Sequence, residues 1–311
     1  MSIRTFCLLP LAAVLAHADV TLRQVMEFQL KMPIPAGQTI PGPFNGPMEV
    51  VSHIKGDRAH TTFGAITAIT DATKVTLIDA QGKRFATLPV ADYLPLVQKD
   101  ANLSNMPEQA RQMLAGIKVE VQSNLTGRTE RIQGIDAAEH EISFQLTIPI
   151  PLPGQANGLQ VTGKFQCWKP KAGEAERVKA LKEMEAYYAH TSTLGNSTDL
   201  LKGLFGAIPG MGESLRKLTD EMNQGGRTLL RLRGAFYMPG LAAIVAQAHA
   251  SGASVPDLPP PDSPLVEMRI DLSDLNTEPV AESLFAIPAG YQEAPMEDLV
   301  KALVPALAAK Q

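Results

Sequence analysis

Histidine and cysteine are the residues of this chain most able to bind a metal, and their spacing is unfavourable. His53 and His60 flank a turn predicted at Lys55-Gly56-Asp57, so a hairpin can bring the two imidazoles together. A zinc site needs a third protein ligand, which this pair lacks. Ala138-Glu139-His140-Glu141 has the letters of a zinc-protease helix but no second histidine four residues after His140. The sequence therefore predicts no metal site.

The nucleophile and phosphate-binding motifs of common enzymes are also incomplete. Cys167 alternates with polar neighbours after Phe165, so we expect a buried, unreactive thiol. Residues 206–214 (GAIPGMGES) are rich in glycine but lack the lysine of a phosphate loop, which favours a hinge between helices. Asp257 and Asp262 lie in a proline-rich loop that fixes no distance between their carboxylates. We therefore expect no catalytic residue, no cofactor and a non-enzymatic protein.

Composition narrows the class of partner. The chain has 311 residues, a net charge of −4 at pH 7, 45% hydrophobic residues and 19% charged residues. These values are typical of a globular protein and give no basic footprint for nucleic acid. We expect no nucleic-acid partner, and composition leaves the oligomeric state open.

The first eighteen residues have the pattern of a secretory signal. Met1–Arg4 is short and basic, Thr5–Leu15 is apolar but too short to span a bilayer, and Ala16-His17-Ala18 is a small-x-small cleavage pattern. Cleavage removes Cys7 and leaves Cys167 alone, so the mature chain has no internal disulfide. We expect a periplasmic or secreted bacterial protein with no transmembrane span in the mature chain.

Apolar and polar residues alternate with a period of two along most of the chain. A strand with one polar face toward solvent and one apolar face toward the core is typical of an antiparallel sheet. The apolar positions are Leu22, Met26, Phe28, Leu30, Ile142, Phe144, Leu146, Ile148, Val161, Phe165, Cys167, Leu230, Leu232, Val266, Met268, Ile270 and Leu272. Glycine-containing turns at Ala80-Gln81-Gly82 and Leu125-Thr126-Gly127 predict hairpins, and the short spacing favours a meander.

Helical patterns are fewer and cluster in one block. Glu174–His190 has an apolar stripe that includes Met184, and shorter helices are predicted at Thr198–Phe205 and Glu213–Asn223. Met106–Ile117 and Glu297–Ala309 are further helical patterns. Strand patterns resume after the helical block, so we predict one domain over 19–311 with a helical insertion at about 174–225.

One segment carries a surface signal. Leu200–Ile208 (LLKGLFGAI) is apolar and lightly charged, so as a helix it suits a membrane interface or the lid of a cavity. The alternative is an ordinary helix packed on the sheet.

Four phrases along the chain resemble a family of secreted bacterial domains of unknown function, related to the LolA/LppX-like lipoprotein-carrier fold. They are Val25-Met26-Glu27-Phe28, the strand pair ending Leu77–Phe85 (LIDAQGKRF), the turn at Thr126–Gly134 (TGRTERIQG) and Ser283–Tyr291 (SLFAIPAGY). The resemblance spans most of residues 20–295. It implies a mainly β, α+β fold, a strongly curved antiparallel half-barrel with helices covering its concave face. In characterised relatives that cavity accepts acyl chains.

The residue pattern and the resemblance lead to the same expectation. A sheet with one dry face needs a cover, and an imperfectly filled core is where apolar ligands bind. We predict a lipid or an acylated protein as the partner. The expected cavity lining is Met26, Phe28, Phe144, Leu146, Phe165, Met184, Leu230, Leu232 and Met268. The alternative is a structural or interaction module of the envelope with a filled interior, and a secreted hydrolase is a third class.

Overall fold

The computed structural model describes nine stretches of the chain and shows a mainly β protein built on one large, open sheet. The described residues are 19–31, 46–93, 118–149, 158–190, 212–223, 226–250, 252, 259–260 and 262–300. The predicted signal, the helical patterns at Met106–Ile117 and Thr198–Phe205, and the segment Leu200–Ile208 lie outside these residues.

The sheet has twelve strands arranged as two meanders joined in the middle. The first is β1 (Val20–Leu30), β2 (Met48–Lys55), β3 (Arg58–Phe63), β4 (Ile66–Thr70), β5 (Lys74–Asp79) and β6 (Arg84–Pro89). The second is β7 (Lys118–Ile132), β8 (Ile135–Ile148), β9 (Leu159–Pro170), β10 (Arg231–Tyr237) and β11 (Val266–Asn276). β11 pairs with β1, and β12 (Gln292–Glu293) pairs parallel with β6. All other neighbours in this sheet are antiparallel, which confirms the predicted antiparallel meanders.

Helices interrupt the second meander. α1 (Glu174–Arg177), α2 (Lys179–His190) and α3 (Gly212–Asn223) lie between the paired strands β9 and β10, and α4 (Leu241–Ala250) lies between β10 and β11. The single helix predicted over Glu174–His190 is wrong because Val178 takes an extended conformation, with φ −108° and ψ 103°. Its N–H still bonds the Glu174 carbonyl (2.8 Å), which closes α1. Residues 296–300 are also helical.

The hairpin predicted at Leu125-Thr126-Gly127 is a bulge within one long strand. β7 runs without interruption to Ile132, and its register against β8 shifts between Leu125 and Thr129. Gly127 has φ +79°, a conformation that suits either a turn or a bulge. The turn comes later, at Gln133-Gly134, where both residues have positive φ as a two-residue hairpin requires.

Polar contacts explain why the chain bulges at Gly127. The buried carboxylate of Glu139 on β8 accepts hydrogen bonds from the Thr126 hydroxyl (2.6 Å) and from Nε and Nη2 of Arg128 (both 2.5 Å). A bulge places both donors on the same carboxylate, which would otherwise be buried and unpaired at considerable cost.

The sheet has an apolar face and a polar face, and helices contribute to the apolar cores. The main apolar cluster spans β1 and β7–β11 and includes Met222 of α3. A second cluster joins Val20, Ile54 and Leu230 to Leu181 and Met184 of α2. A third packs Met296 and Leu299 on β5 and β6. Burial of these side chains stabilises each contact by about 25 cal/mol per Å² of apolar surface.

A segment that we call the strap, residues 277–291, connects β11 to β12 across the first meander. Asp19 accepts a hydrogen bond from the Val280 N–H (2.6 Å), and Lys55 donates to the Val280 carbonyl (2.7 Å). Phe285 contacts His60 edge-to-face at 6.5 Å between ring centroids. The strap therefore contacts the polar face, where His60 lies, and brings β12 to the far edge of the sheet.

Two glycines allow phenylalanine rings to lie against neighbouring strands of the apolar face. Gly163 on β9 is the cross-strand partner of Phe144, and Gly234 on β10 is the partner of Phe165. A Cβ on Gly163 would overlap the Phe144 ring, and one on Gly234 would lie 2.9 Å from Cδ1 of Phe165. Glycine is therefore required here for close approach, although it weakens a strand interior.

We expect Gly163→Ala to lower the free energy of unfolding by about 1–3 kcal/mol, because the added methyl forces the Phe144 ring out of its position. Urea denaturation measures the change. The neighbouring control Thr162→Ala, on the polar face, should stay within about 0.5 kcal/mol of wild type.

Adding Phe144→Leu to Gly163→Ala tests the mechanism. The double variant should lose less stability than the sum of the two single variants, because the smaller side chain makes room for the methyl. Additive losses would show that the clash is not the cause.

Candidate functional site

The residues predicted to line a cavity come together, and most of them are buried. Seven belong to the main apolar cluster: Met26, Phe28, Phe144, Leu146, Phe165, Leu232 and Met268. Met184 of α2 and Leu230 belong to the neighbouring second cluster. Met26 is partly buried, and the other eight have at most 6% of their surface exposed. The sequence pattern thus identified an apolar layer of the sheet. Most of its side chains are buried against one another.

An aromatic trio lies within this layer. Phe144 stacks on Phe165 with ring centroids 5.7 Å apart. Phe236 meets both rings edge-on, at 5.9 Å from Phe144 and 5.5 Å from Phe165. Such geometries add about 0.5–1.5 kcal/mol per pair beyond area burial. The three rings therefore hold one another in place within the apolar layer.

The apolar layer is less well covered at one end of the strands. Val119, Ile148, Val161 and Phe236 pack on the main cluster but are only partly buried. Val119 lies near the start of β7, Ile148 ends β8, Val161 lies near the start of β9, and Phe236 lies near the end of β10. In antiparallel strands these positions share one end of the sheet. We call these four residues the open end.

Helix α4 follows the open end directly and is unusually apolar. Its sequence is LAAIVAQAHA, and it begins three residues after Met238, whose carbonyl accepts the Leu241 N–H (3.0 Å). None of its described side chains is buried: Ile244 and Val245 are partly exposed, and Ala242 is exposed. A helix of this composition normally buries most of its surface. The open end and α4 therefore present apolar surface near one another along the chain.

A buried lysine on the apolar face is a residue that the sequence analysis missed. Lys169 has 2% of its surface exposed, and its Nζ donates to the Met222 carbonyl in the last turn of α3. Burial lowers its pKa, opposed by the nearby charges of Glu185 and Glu221. The period-two pattern of Phe165 and Cys167 continues to position 169 and could have placed it on this face. Its position suits an anchor for the C-terminal end of α3.

Cys167 and His140 lie beside this lysine on adjacent strands. Cys167 is buried, as predicted, and burial raises the pKa of its thiol to about 12, partly offset by Lys169. His140 is the cross-strand partner of Cys167 and is half-buried, and burial followed by the charge of Lys169 lowers its pKa. No group of three His, Cys, Asp or Glu side chains suited to a metal occurs among the described residues.

His53 and His60 do meet, as the hairpin pattern predicted. They are cross-strand partners on β2 and β3, with ring centroids 5.9 Å apart. Nδ1 of His53 is 3.0 Å from the Thr21 hydroxyl, whereas Nδ1 of His60 is buried with no hydrogen-bond partner in the described part of the chain. Phe285 of the strap covers His60. The pair is thus half-buried, and His60 forms its contact with the strap.

The other residues that the sequence analysis considered for catalysis or phosphate binding do not belong to these clusters. Asp262 is exposed, whereas Asp257 and residues 206–211 lie outside the described residues. Within the same described ranges, no helix is long and apolar enough to cross a membrane.

Comparison with known proteins adds little. No family model matches the chain, and no curated protein matches it. A solved structure of PNGF-II in space group C2 is similar at 7% sequence identity and a TM-score of 0.30. The match covers 91% of this chain and 33% of that one, so this chain spans about a third of that protein's length. A similarity this weak establishes neither a shared fold nor a function.

Protonation of His53 and His60 should make the stability of the fold depend on pH. Burial lowers the pKa of His60 below 6.5, as does the charge of His53, and burial with Arg23 lowers the pKa of His53. The unfolded chain then binds more protons than the folded one as the pH falls below about 6.5. We therefore expect the free energy of unfolding to decrease between pH 6.5 and the folded pKa values.

Replacement of His60 by Gln should make this acid-side loss shallower, and urea denaturation from pH 7.5 to 5 measures it. The matched control is His249→Gln in α4, where the side chain is exposed. Identical slopes for the two variants would show that His60 does not cause the loss.

Proposed function

We propose that this chain is a non-enzymatic periplasmic or envelope protein that binds an apolar ligand, a lipid or a lipoprotein acyl chain. In this proposal the sheet curves into a half-barrel, helices cover its concave side, and the ligand enters at the open end. The observation that carries the proposal is the row of partly buried apolar side chains at the open end, followed directly by α4, none of whose described side chains is buried.

The packing of the helices supports this arrangement. Met184 of α2 and Met222 of α3 both lie in the apolar clusters, so the helical insertion contacts the dry face of the sheet. Methionine side chains adapt their shape and suit surfaces that must accept chains of variable length. The aromatic trio gives the proposed cavity a rigid wall.

Burial of an acyl chain at the open end would supply enough free energy for binding. Each methylene removed from water contributes about 0.8 kcal/mol. An acyl chain that buries about ten methylenes thus gains roughly 8 kcal/mol. That gain exceeds the lower estimates of the cost of losing translational and rotational freedom. The ligand therefore needs few polar contacts, in keeping with an apolar layer of Phe, Met, Leu and Val.

A second candidate is a structural or protein-interaction module of the envelope with a filled apolar face. The observation that favours it is that eight of the nine residues predicted to line a cavity are buried. The two candidates differ in whether delipidated protein takes up an acyl chain.

The sharpest test compares Val161→Asp with Thr162→Asp, which place the same charge at adjacent positions of β9 on opposite faces. A fluorescent fatty acid is titrated into delipidated protein. We expect saturable binding to wild type and to Thr162→Asp. Val161→Asp should bind about tenfold more weakly or worse, because the ligand would bury a carboxylate.

Circular dichroism checks that both variants fold, and Val119→Asp, at the same end of β7, replaces Val161→Asp if that variant does not. No saturable binding to folded wild-type protein would reject the carrier and favour the interaction module. Equal affinity of the folded apolar-face and polar-face variants would show that the ligand does not use the open end.

A further inference from the structure

The polar face of the sheet carries a trough that the proposed apolar site does not use. Its central part has a volume of about 440 Å³ and lies over Gly234 and Ala235 of β10. Charged side chains from four neighbouring strands line it, namely Glu27 of β1, Lys164 of β9, Arg233 of β10, and Glu267 and Arg269 of β11. This volume lies in the range of small-molecule sites, which is about 300–1,000 Å³.

Two smaller hollows extend the trough along the same face. One of about 350 Å³ shares Glu27 and Arg269 with the central part, and another of about 290 Å³ shares Lys164 and Tyr237. The trough therefore crosses the strands from β1 to β7. The small side chain of Ala235 on β10 leaves room above the polar face between longer side chains on either side.

Two arginines stand directly opposite each other in the centre of the trough. Arg233 and Arg269 are cross-strand partners of β10 and β11. Like charges in directly opposite positions destabilise a sheet. Both guanidinium groups bond to the same carboxylate, that of Asp271, at 2.7 Å from Nη2 of Arg233 and 2.5 Å from Nε of Arg269.

The carboxylate of Asp271 is shared further. Nε of Arg231 also donates to it at 3.1 Å, while Nη1 of Arg231 bonds Glu130 at 2.6 Å. Burial would raise the pKa of Asp271, but the hydrogen bonds and charges of Arg233 and Arg269 hold it below its ordinary value. Three guanidinium groups thus share Asp271 and Glu130, and Glu27, which also lines the trough, stands opposite Arg269 on β1.

Arg269 has donors left for a ligand. Its side chain is 58% exposed, and only its Nε is engaged, so its terminal nitrogens have no hydrogen-bond partner among the described residues. On the β9 side, Gln166 is the cross-strand partner of Arg233 and also lines the trough. Donors from three adjacent strands therefore line the trough around Arg233, and Nζ of Lys164 lies 3.2 Å from a carboxylate oxygen of Glu141 on β8.

We propose that this trough binds a phosphate monoester, with the phosphate held between Arg233 and Arg269 and reached by Lys164 and Gln166. A dianionic phosphate matches paired guanidinium groups in charge and in their forked geometry. Glu27 and Glu267 line the side toward β1, where Gln29 (2.8 Å) and Lys31 (3.0 Å) already bond them. Their remaining lone pairs can accept hydrogen bonds from hydroxyl groups, which suits a phosphorylated polyol.

The chain contains its own reporter for this site. Trp168 is the single tryptophan, and the Arg231 guanidinium lies 5.9 Å from its ring centroid. Arg231 shares Asp271 with Arg233 and Arg269, so a phosphate that bonds Arg269 changes the charge around Asp271 and Arg231. Tryptophan fluorescence should therefore change on binding without any added label.

The experiment titrates glycerol 3-phosphate into the full chain and follows Trp168 fluorescence and heat. We expect saturable binding to wild type and a loss of about 10- to 100-fold in affinity for Arg269→Gln, because a charge-assisted contact is removed. The matched control is Arg131→Gln on β7, where the arginine is 66% exposed and pairs with Asp136 at 3.9 Å. The control should bind as wild type does.

Stability gives an independent readout. Arg269→Gln and Arg131→Gln each remove one exposed ion pair, so the two variants should unfold at similar temperatures in the absence of phosphate. A clear destabilisation would show that Arg269 is structural and would overturn the proposal. So would equal affinities of the two variants for glycerol 3-phosphate, or no saturable binding to wild type.

A second arm separates two sources of the same phosphate chemistry. Vesicles that contain phosphatidic acid present the phosphate monoester on a lipid surface, whereas glycerol 3-phosphate presents it free. Binding of either probe that is lost in Arg269→Gln supports the site, and the preferred probe identifies the source. Val161→Asp lies on the opposite face and should leave phosphate binding unchanged, so the two proposals fail independently.

Discussion

The pairing of β1 with β11 joins the two meanders, and the faces of the whole sheet depend on its register. A slip of one residue in a strand moves every side chain to the opposite face. Along most of this pair, Phe28 opposes Met268 and Met26 opposes Ile270, so apolar residues stay on one side. The same register places Glu27 opposite Arg269 on the other side. The apolar layer and the polar trough are therefore two results of one alignment.

A bulge corrects this register where the sequence of β11 changes phase. Leu272 opposes Gln24 and Leu275 opposes Leu22, although the two leucines are an odd number of residues apart. Ser273 is the extra residue, and its hydroxyl donates to the Arg23 carbonyl (3.1 Å). Because of the bulge, both leucines face the second apolar cluster. Without it, Leu275 would point to the polar face.

Sequence periodicity predicted most of the sheet because each strand buries one face. The alternation at Ile142–Ile148 and Val266–Leu272 identified both the strands and the residues of the apolar layer. Periodicity gave the wrong structure at Gly127, because the same residue pattern is compatible with a turn and with a bulge. A glycine with positive φ fits a turn or a bulge, and only the partnership of Arg128 with the distant Glu139 decides for a bulge at Gly127.

Strand order and cross-strand contacts were harder to predict than the strands themselves. The opposition of Arg233 to Arg269 needs the register between β10 and β11, whose sequences are separated by α4. The burial of Lys169 needs the position of α3, whose Met222 carbonyl it contacts. Both sites combine residues that are remote in sequence, which a period-two pattern alone does not align.

The two proposed sites would differ in how they bind a ligand. On the apolar face affinity would grow with buried area, so the open end would favour long chains over any particular headgroup. On the polar face affinity would depend on a few charge-assisted contacts and would decrease as salt screens them. Arg233 donates to the carbonyls of Leu232 (2.8 Å) and Ile270 (3.2 Å), which fixes its guanidinium before any ligand arrives. A guanidinium held in this way loses little conformational entropy on binding, so the sheet itself preorganises the polar site.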